Sequence, residues 1–181
     1  MSYLEHFILM SKYNSRMNAQ VFNSMRELPE EVLHQNKGAF FGSLMGTVNH
    51  ILVGDIIWLS RFSKHSELYT ALSELLIVLP TPKKLDEILF ASLEPLEHIR
   101  KKVDSTIEFW LVNEVNEADI ERCLSYKNSR GIVSTKKFSE LVSHLFNHQT
   151  HHRGQVTTLL TQLGIDIGIT DYLIDIPNHS I

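Results

Sequence analysis

His148 and His152 stand four residues apart in the run His148-Gln149-Thr150-His151-His152-Arg153-Gly154-Gln155, and on a helix that spacing puts both imidazoles on one face. At about 100° per residue the same face continues through Leu141, Leu145, Val156, Leu159 and Leu163, so the two histidines hold positions where the pattern asks for aliphatic side chains and should point inward. Burying two imidazoles costs free energy unless their nitrogens find partners, and a divalent cation is a partner both can share. The ordinary alternative is a pair of hydrogen-bonded core histidines, the commoner fate of a histidine on an apolar face. His144 and His151 lie toward one flank of the stripe and read as outside the pair.

A metal site needs a third protein ligand from elsewhere in the chain. His50 is the best candidate, because Gly46 and Gly54 flank it one turn away on each side. Glycine inside a helix costs about 1 kcal/mol relative to alanine, so two of them around one histidine imply close approach by a metal, a ligand or another helix. Helix packing against small residues explains the glycines equally well at this point.

The elements that must position these residues are mostly helical. Ser2 and Glu5 make a capping box for a first helix, whose repeat of Tyr3, Phe7, Met10, Asn14, Met17, Val21 and Leu28 ends at Pro29. A second helix follows Gly42-Ser43 and runs to about Phe62; it is apolar on more than one side and should be well buried. Thr81-Pro82 reads as an N-cap and first helical residue of a third helix through Leu85, Ile88, Leu96, Ile99 and Val103, kinked at Pro95. Cys123-Leu124-Ser125-Tyr126 and Ile132-Val133-Ser134-Thr135 predict a small hairpin around the turn Asn128-Ser129-Arg130-Gly131. The last helix runs from about Lys137 to Leu163, with Gly164 as its stop. This is an all-α chain, four helices in a bundle with one β-hairpin before the last of them.

Its 181 residues fit one domain, 1–181, with no linker-like tract dividing it. No basic leader precedes an apolar core and no apolar run approaches the roughly 18 residues that span a bilayer, so a cytoplasmic protein without a membrane partner is expected. The net charge of −4 with scattered Lys and Arg offers no footprint for nucleic acid. Cys123, the single cysteine, excludes an internal disulfide and a cysteine-based zinc cluster; it reads as a small half-buried strand residue ahead of a nucleophile.

The run Phe40-Phe41-Gly42-Ser43-Leu44-Met45-Gly46-Thr47-Val48-Asn49-His50, then Asp55 to Phe62, then His148 to Gln155, resembles the two signatures of the DinB-like (damage-inducible) family. The resemblance extends from Tyr13-Asn14 through the hairpin to Gly164. It implies an up-down-down-up four-helix bundle, commonly a homodimer, with a divalent metal on His50, His148 and His152. The family pattern often has an aromatic residue where this chain carries Arg16, which leaves the shape of any pocket near the first helix open.

Three neutral imidazoles would leave a cation's charge uncompensated and leave coordination positions for water or substrate, which marks a reactive site. Imidazole suits several ions; zinc or nickel is expected first, iron or manganese next. Relatives of this kind transfer small bacterial thiols to electrophiles or process thiol conjugates, so the resemblance implies a metal-dependent thiol S-transferase acting on a small-molecule thiol and electrophile. A non-catalytic metal-binding stress-response protein is the competing reading. Tyr13, Asn14 and Gln155 are candidates for contact with the ligands or a substrate, each with a structural role as its alternative. Asn147, Gly154 and Thr158 mark a small-residue face of the last helix, opposite its core stripe, that suits a homodimer.

Overall fold

The computed structural model describes residues 2–128 and 130–178. Four long helices dominate it: α1 (Tyr3–Met25), α3 (Leu44–Phe62), α5 (Leu93–Asn113) and α7 (Phe138–Gln162), with short α2 (Glu30–His34), α4 (Thr70–Val78) and α6 (Glu117–Glu121) between them. α1 packs on α5 and α7, α3 packs on α7 and less extensively on α5, and α4 lies against both α3 and α5. Among the described residues no helix is long and apolar enough to cross a membrane.

Local chemistry accounts for most boundaries. The Ser2 hydroxyl accepts from the Glu5 amide at 3.2 Å while the Glu5 carboxylate accepts from the Ser2 amide at 2.7 Å, so two orphan donors of α1 are satisfied reciprocally. Ser43 caps α3 through the Gly46 amide, and Gly164, at φ +80°, stops α7 in the left-handed conformation. Strands β1 (Cys123–Lys127) and β2 (Val133–Lys137) pair antiparallel with Ser125 opposite Thr135. The hairpin is the predicted one; Ser129 in its turn lies outside the described residues, and Cys123 is exposed rather than half-buried.

The third long helix departs from the sequence pattern. Thr81-Pro82 does not open it: α5 begins at Leu93, and Pro95 sits in its first turn, where the missing N–H is one no helix could have satisfied, so proline is tolerated there. The chain from Leu79 to Ser92 is irregular, and it is held to α3 at two points. The buried Asn49 amide donates to the Phe90 carbonyl and accepts from the Phe90 N–H, both at 3.0 Å, and the Leu85 carbonyl bonds His50. α4, an apolar helix between α3 and this loop, has no counterpart in the sequence reading.

Arg16 explains its departure from the aromatic pattern. The chain beyond α7 crosses α1, and the Arg16 guanidinium donates to the Asp175 carboxylate at 2.6 Å and to the carbonyls of Ile169 and Asp171 at 3.2 and 2.9 Å. Gln20 adds a bond to the Ile167 carbonyl and Tyr13 one to Thr170. One planar fork thus binds three points of the C-terminal segment.

Candidate metal centre

α3 and α7 run past one another so that His50 meets both His148 and His152. The Nε2 atoms of His50 and His148 lie 3.0 Å apart, the ring centroid of His50 lies 5.0 Å from that of His148 and 4.5 Å from that of His152, and a possible ligand atom from each of the three falls within 4.8 Å of the others. His50 is buried, and His148 and His152 are half-buried at the seam.

Their outer nitrogens are held. His50 Nδ1 lies 2.8 Å from the Leu85 carbonyl, which can only accept, so Nδ1 carries the proton and Nε2 presents a lone pair to the site. His152 Nδ1 lies 2.9 Å from Oε1 of Gln155, which assigns His152 the same tautomer and places Gln155 behind that ring. Such partners behind metal-binding histidines fix the ring and raise its basicity. His148 is different: its Nδ1 is buried with no hydrogen-bond partner among the described residues. Without an ion, His148 Nε2 must donate to His50 and leave that inner nitrogen bare. With an ion at the meeting point all three imidazoles would act as neutral donors through the nitrogens that face it, and the His148 proton would sit on Nδ1.

Electrostatics favour the neutral forms. Burial lowers the His50 pKa, partly offset by the Leu85 bond, and lowers that of His152, partly offset by Gln155. His148 is pushed down to about 3 by burial and then by its histidine neighbours. Metal binding requires deprotonated ligands, and this set is deprotonated at neutral pH. The residues present therefore fit a divalent cation with nitrogen donors.

The flanking glycines do separate jobs. A Cβ on Gly54 would lie 2.5 Å from Cε1 of His148, and one on Gly46 would lie 2.0 Å from the Phe41 carbonyl oxygen. Gly54 admits the facing His148 ring, and Gly46 lets the Phe41 turn close over α3. The Phe41 ring then stacks on His50 at 3.7 Å with planes 17° apart and meets His152 edge-on at 5.4 Å. Two clefts open beside this wall. One of about 530 Å³ is lined by Phe40, Phe41, Gly46, Leu85, Asp86 and Ile88; the other, of about 360 Å³, lies between Phe40 and the α7 residues His151, Gly154, Gln155 and Thr158. Phe40 is 86% exposed between them.

Behind the histidines lies a polar core that the sequence reading did not find. Gln149 and Arg153, not His148 and His152, are the deepest polar residues of α7, so the histidine stripe sits one step toward the surface from the true core face. Gln149 donates to both oxygens of Asp55 at 3.0 Å, and its carbonyl accepts from Asn18 at 3.1 Å and Arg153 at 3.2 Å. Asp55 is paired with Arg100, Arg100 with Asp104 at 2.8 Å, and Asp104 accepts from Asn14 and Asn18. Arg153 donates to Asn14, which settles Asn14 as a core residue. Burial pushes the Asp55 carboxyl up to about 6 against the opposing pull of Arg100. All four long helices contribute to this cluster. A charged residue in the otherwise apolar stretch from Ile51 to Ile57 was the available signal.

His144 is not brought into the triad; its ring packs edge-on to Trp58 at 4.9 Å. Tyr13 contacts the C-terminal segment and lies beside Arg153. Asn147, Gly154 and Thr158 are exposed.

The family model described as DinB family matches residues 1–178. The chain is 31% identical over 162 residues to a protein from Bacillus subtilis (strain 168) named Protein DinB, covering 89% of this chain and 88% of that one. No solved structure matches it. On the match along nearly its whole length, the chain belongs to the DinB family.

Proposed function

We propose that this protein is a metal-dependent thiol S-transferase, a single domain whose four long helices form an up-down-down-up bundle around one divalent cation, zinc or nickel, on His50, His148 and His152. The observation that carries the reading is the convergence of three neutral imidazoles, two with their outer nitrogens already bonded to Leu85 and Gln155. A divalent cation held by three neutral ligands supplies Lewis acidity that lowers the pKa of a small thiol or of water.

The chain's own residues orient and shelter the reactants. Phe41 covers His50 on one side, so access is through the two clefts. Phe40, Leu85 and Ile88 give those clefts exposed apolar walls that suit the carbon skeleton of an electrophile and exclude water around it. The nucleophilic sulfur comes from the substrate. Cys123, exposed on β1 and outside both ligand-bearing helices, has no part in the reaction.

The test supplies cysteine and a chromogenic aryl halide to metal-loaded protein, metal-free protein and Cys123→Ser. Turnover should need the metal and survive the substitution. Turnover that survives metal removal but disappears in Cys123→Ser overturns the proposal. A second reading, a non-catalytic metal-binding stress-response protein, is favoured by the same ligands joining two helices; it predicts that metal raises stability with no turnover of any thiol tried. The proposal also includes a homodimer through the exposed Asn147, Gly154 and Thr158 face of α7, and sedimentation as a monomer at micromolar concentration contradicts that part.

A further inference from the structure

Arg61 lies eleven residues beyond His50 on α3. At about 100° and 1.5 Å per residue it falls within about 20° of the same helix face, roughly 16 Å along the axis. Its guanidinium carbon sits 4.5 Å from the centre of the Trp58 ring and 4.8 Å from that of Tyr126, and the two rings meet edge-on at 5.3 Å. Among the described residues the guanidinium has no ion-pair partner and donates no hydrogen bond. This sets it apart from Arg16, Arg100, Arg122 and Arg153, each of which is bonded to an acid or an amide oxygen.

The half-buried guanidinium faces a cleft of about 480 Å³ whose walls include Ser60, Lys64, Tyr126 and Lys127 and no carboxylate. Three cations around one cleft are unexpected in a chain of net charge −4. Burial lowers the Arg61 pKa with only the Tyr126 phenol acting against it, so this charge is held partly out of water without an acidic neighbour. The two rings hold the planar fork, which costs less to order on a ligand than a free side chain. A forked cation of this kind matches the paired oxygens of a carboxylate or a phosphate, and the cleft is of the size that takes small molecules.

We propose that Arg61, with Lys64 and Lys127, forms an oxyanion-binding pocket for a small molecule carrying a carboxylate or phosphate, three helical turns from His50 on the same face of α3. The pocket does not require the metal reading. If both hold, a substrate engaged by the histidines has a second, anionic handle along α3.

Trp58 is the natural reporter, since Trp110, the other tryptophan, is fully buried. Protein stripped of metal is titrated with glutarate and with inorganic phosphate, against chloride at matched ionic strength, following tryptophan fluorescence and, independently, heat. A saturable response to either oxyanion is expected, at least tenfold weaker in Arg61→Gln and weakened in the Lys64→Gln/Lys127→Gln double variant, both checked for folding by circular dichroism. The responding anion identifies the headgroup. A response no greater than that to chloride, or equal affinity in folded Arg61→Gln, overturns the proposal. Because no metal is present, failure of the metal reading leaves this outcome unaffected.

Discussion

His148 is the residue on which the site turns, since one of its ring nitrogens faces His50 and the other is buried with no partner among the described residues. Its place depends on the hydrogen atom that serves as the Gly54 side chain. In an ordinary helix interior Gly→Ala gains about 1 kcal/mol; here the new methyl would meet the imidazole. Gly54→Ala should therefore lower zinc affinity at least tenfold, measured by competition with a chromophoric chelator, and unchanged affinity would show that His148 is not held where the site needs it. The depressed His148 pKa also gives a pH signature. In metal-free protein the unfolded chain binds the proton near the ordinary imidazole value and the folded chain only near pH 3, so stability is lost as pH falls through that window. Measured by urea melts, the wild type should lose stability relative to His148→Gln between about pH 6.5 and 3; parallel curves would contradict the burial of this ring. The histidine pair and the glycine-flanked His50 were legible because spacing alone puts them on helix faces. The deeper positions of Gln149 and Arg153 were not, since both can lie on a polar flank and only the packing of α1 and α5 shows otherwise.

At the scale of elements, Asp55 and Gln149 tie α3 to α7 beside the His50–His148 contact, and Arg100, Asp104, Asn14 and Asn18 extend the tie to α5 and α1. Removing one member leaves buried charge without its partner, which costs about 3–5 kcal/mol. Asp55→Ala should lose stability of about that size in urea melts, since Arg100 keeps only Asp104. A loss below about 1 kcal/mol would mean that the cluster is well enough hydrated to need no internal compensation. The side-chain caps at Ser2 and Ser43 were readable from sequence because their chemistry is local. The start of α5 was not: Thr81-Pro82 carries the local signal of a helix, but Asn49 and His50 take the backbone groups of the following loop. That misreading falls on a segment that builds the site, where tertiary bonds override local preference.

Across the whole molecule, the mainly helical architecture, the hairpin and family membership followed from periodicity and motif order, whereas α4 and the C-terminal segment bound by Arg16 depend on long-range contacts that no local pattern encodes. The fold brings together histidines nearly a hundred positions apart and places Phe41, Leu85 and Gln155 around them; the central proposal is that they hold one cation per chain. Elemental analysis of protein loaded with zinc and then dialysed tests this most directly, on wild type, His50→Ala, His148→Ala, His152→Ala and His144→Ala. The wild type and His144→Ala should retain about one equivalent and the three triad variants should retain almost none. Full occupancy in His148→Ala, or an empty wild type, would contradict the account.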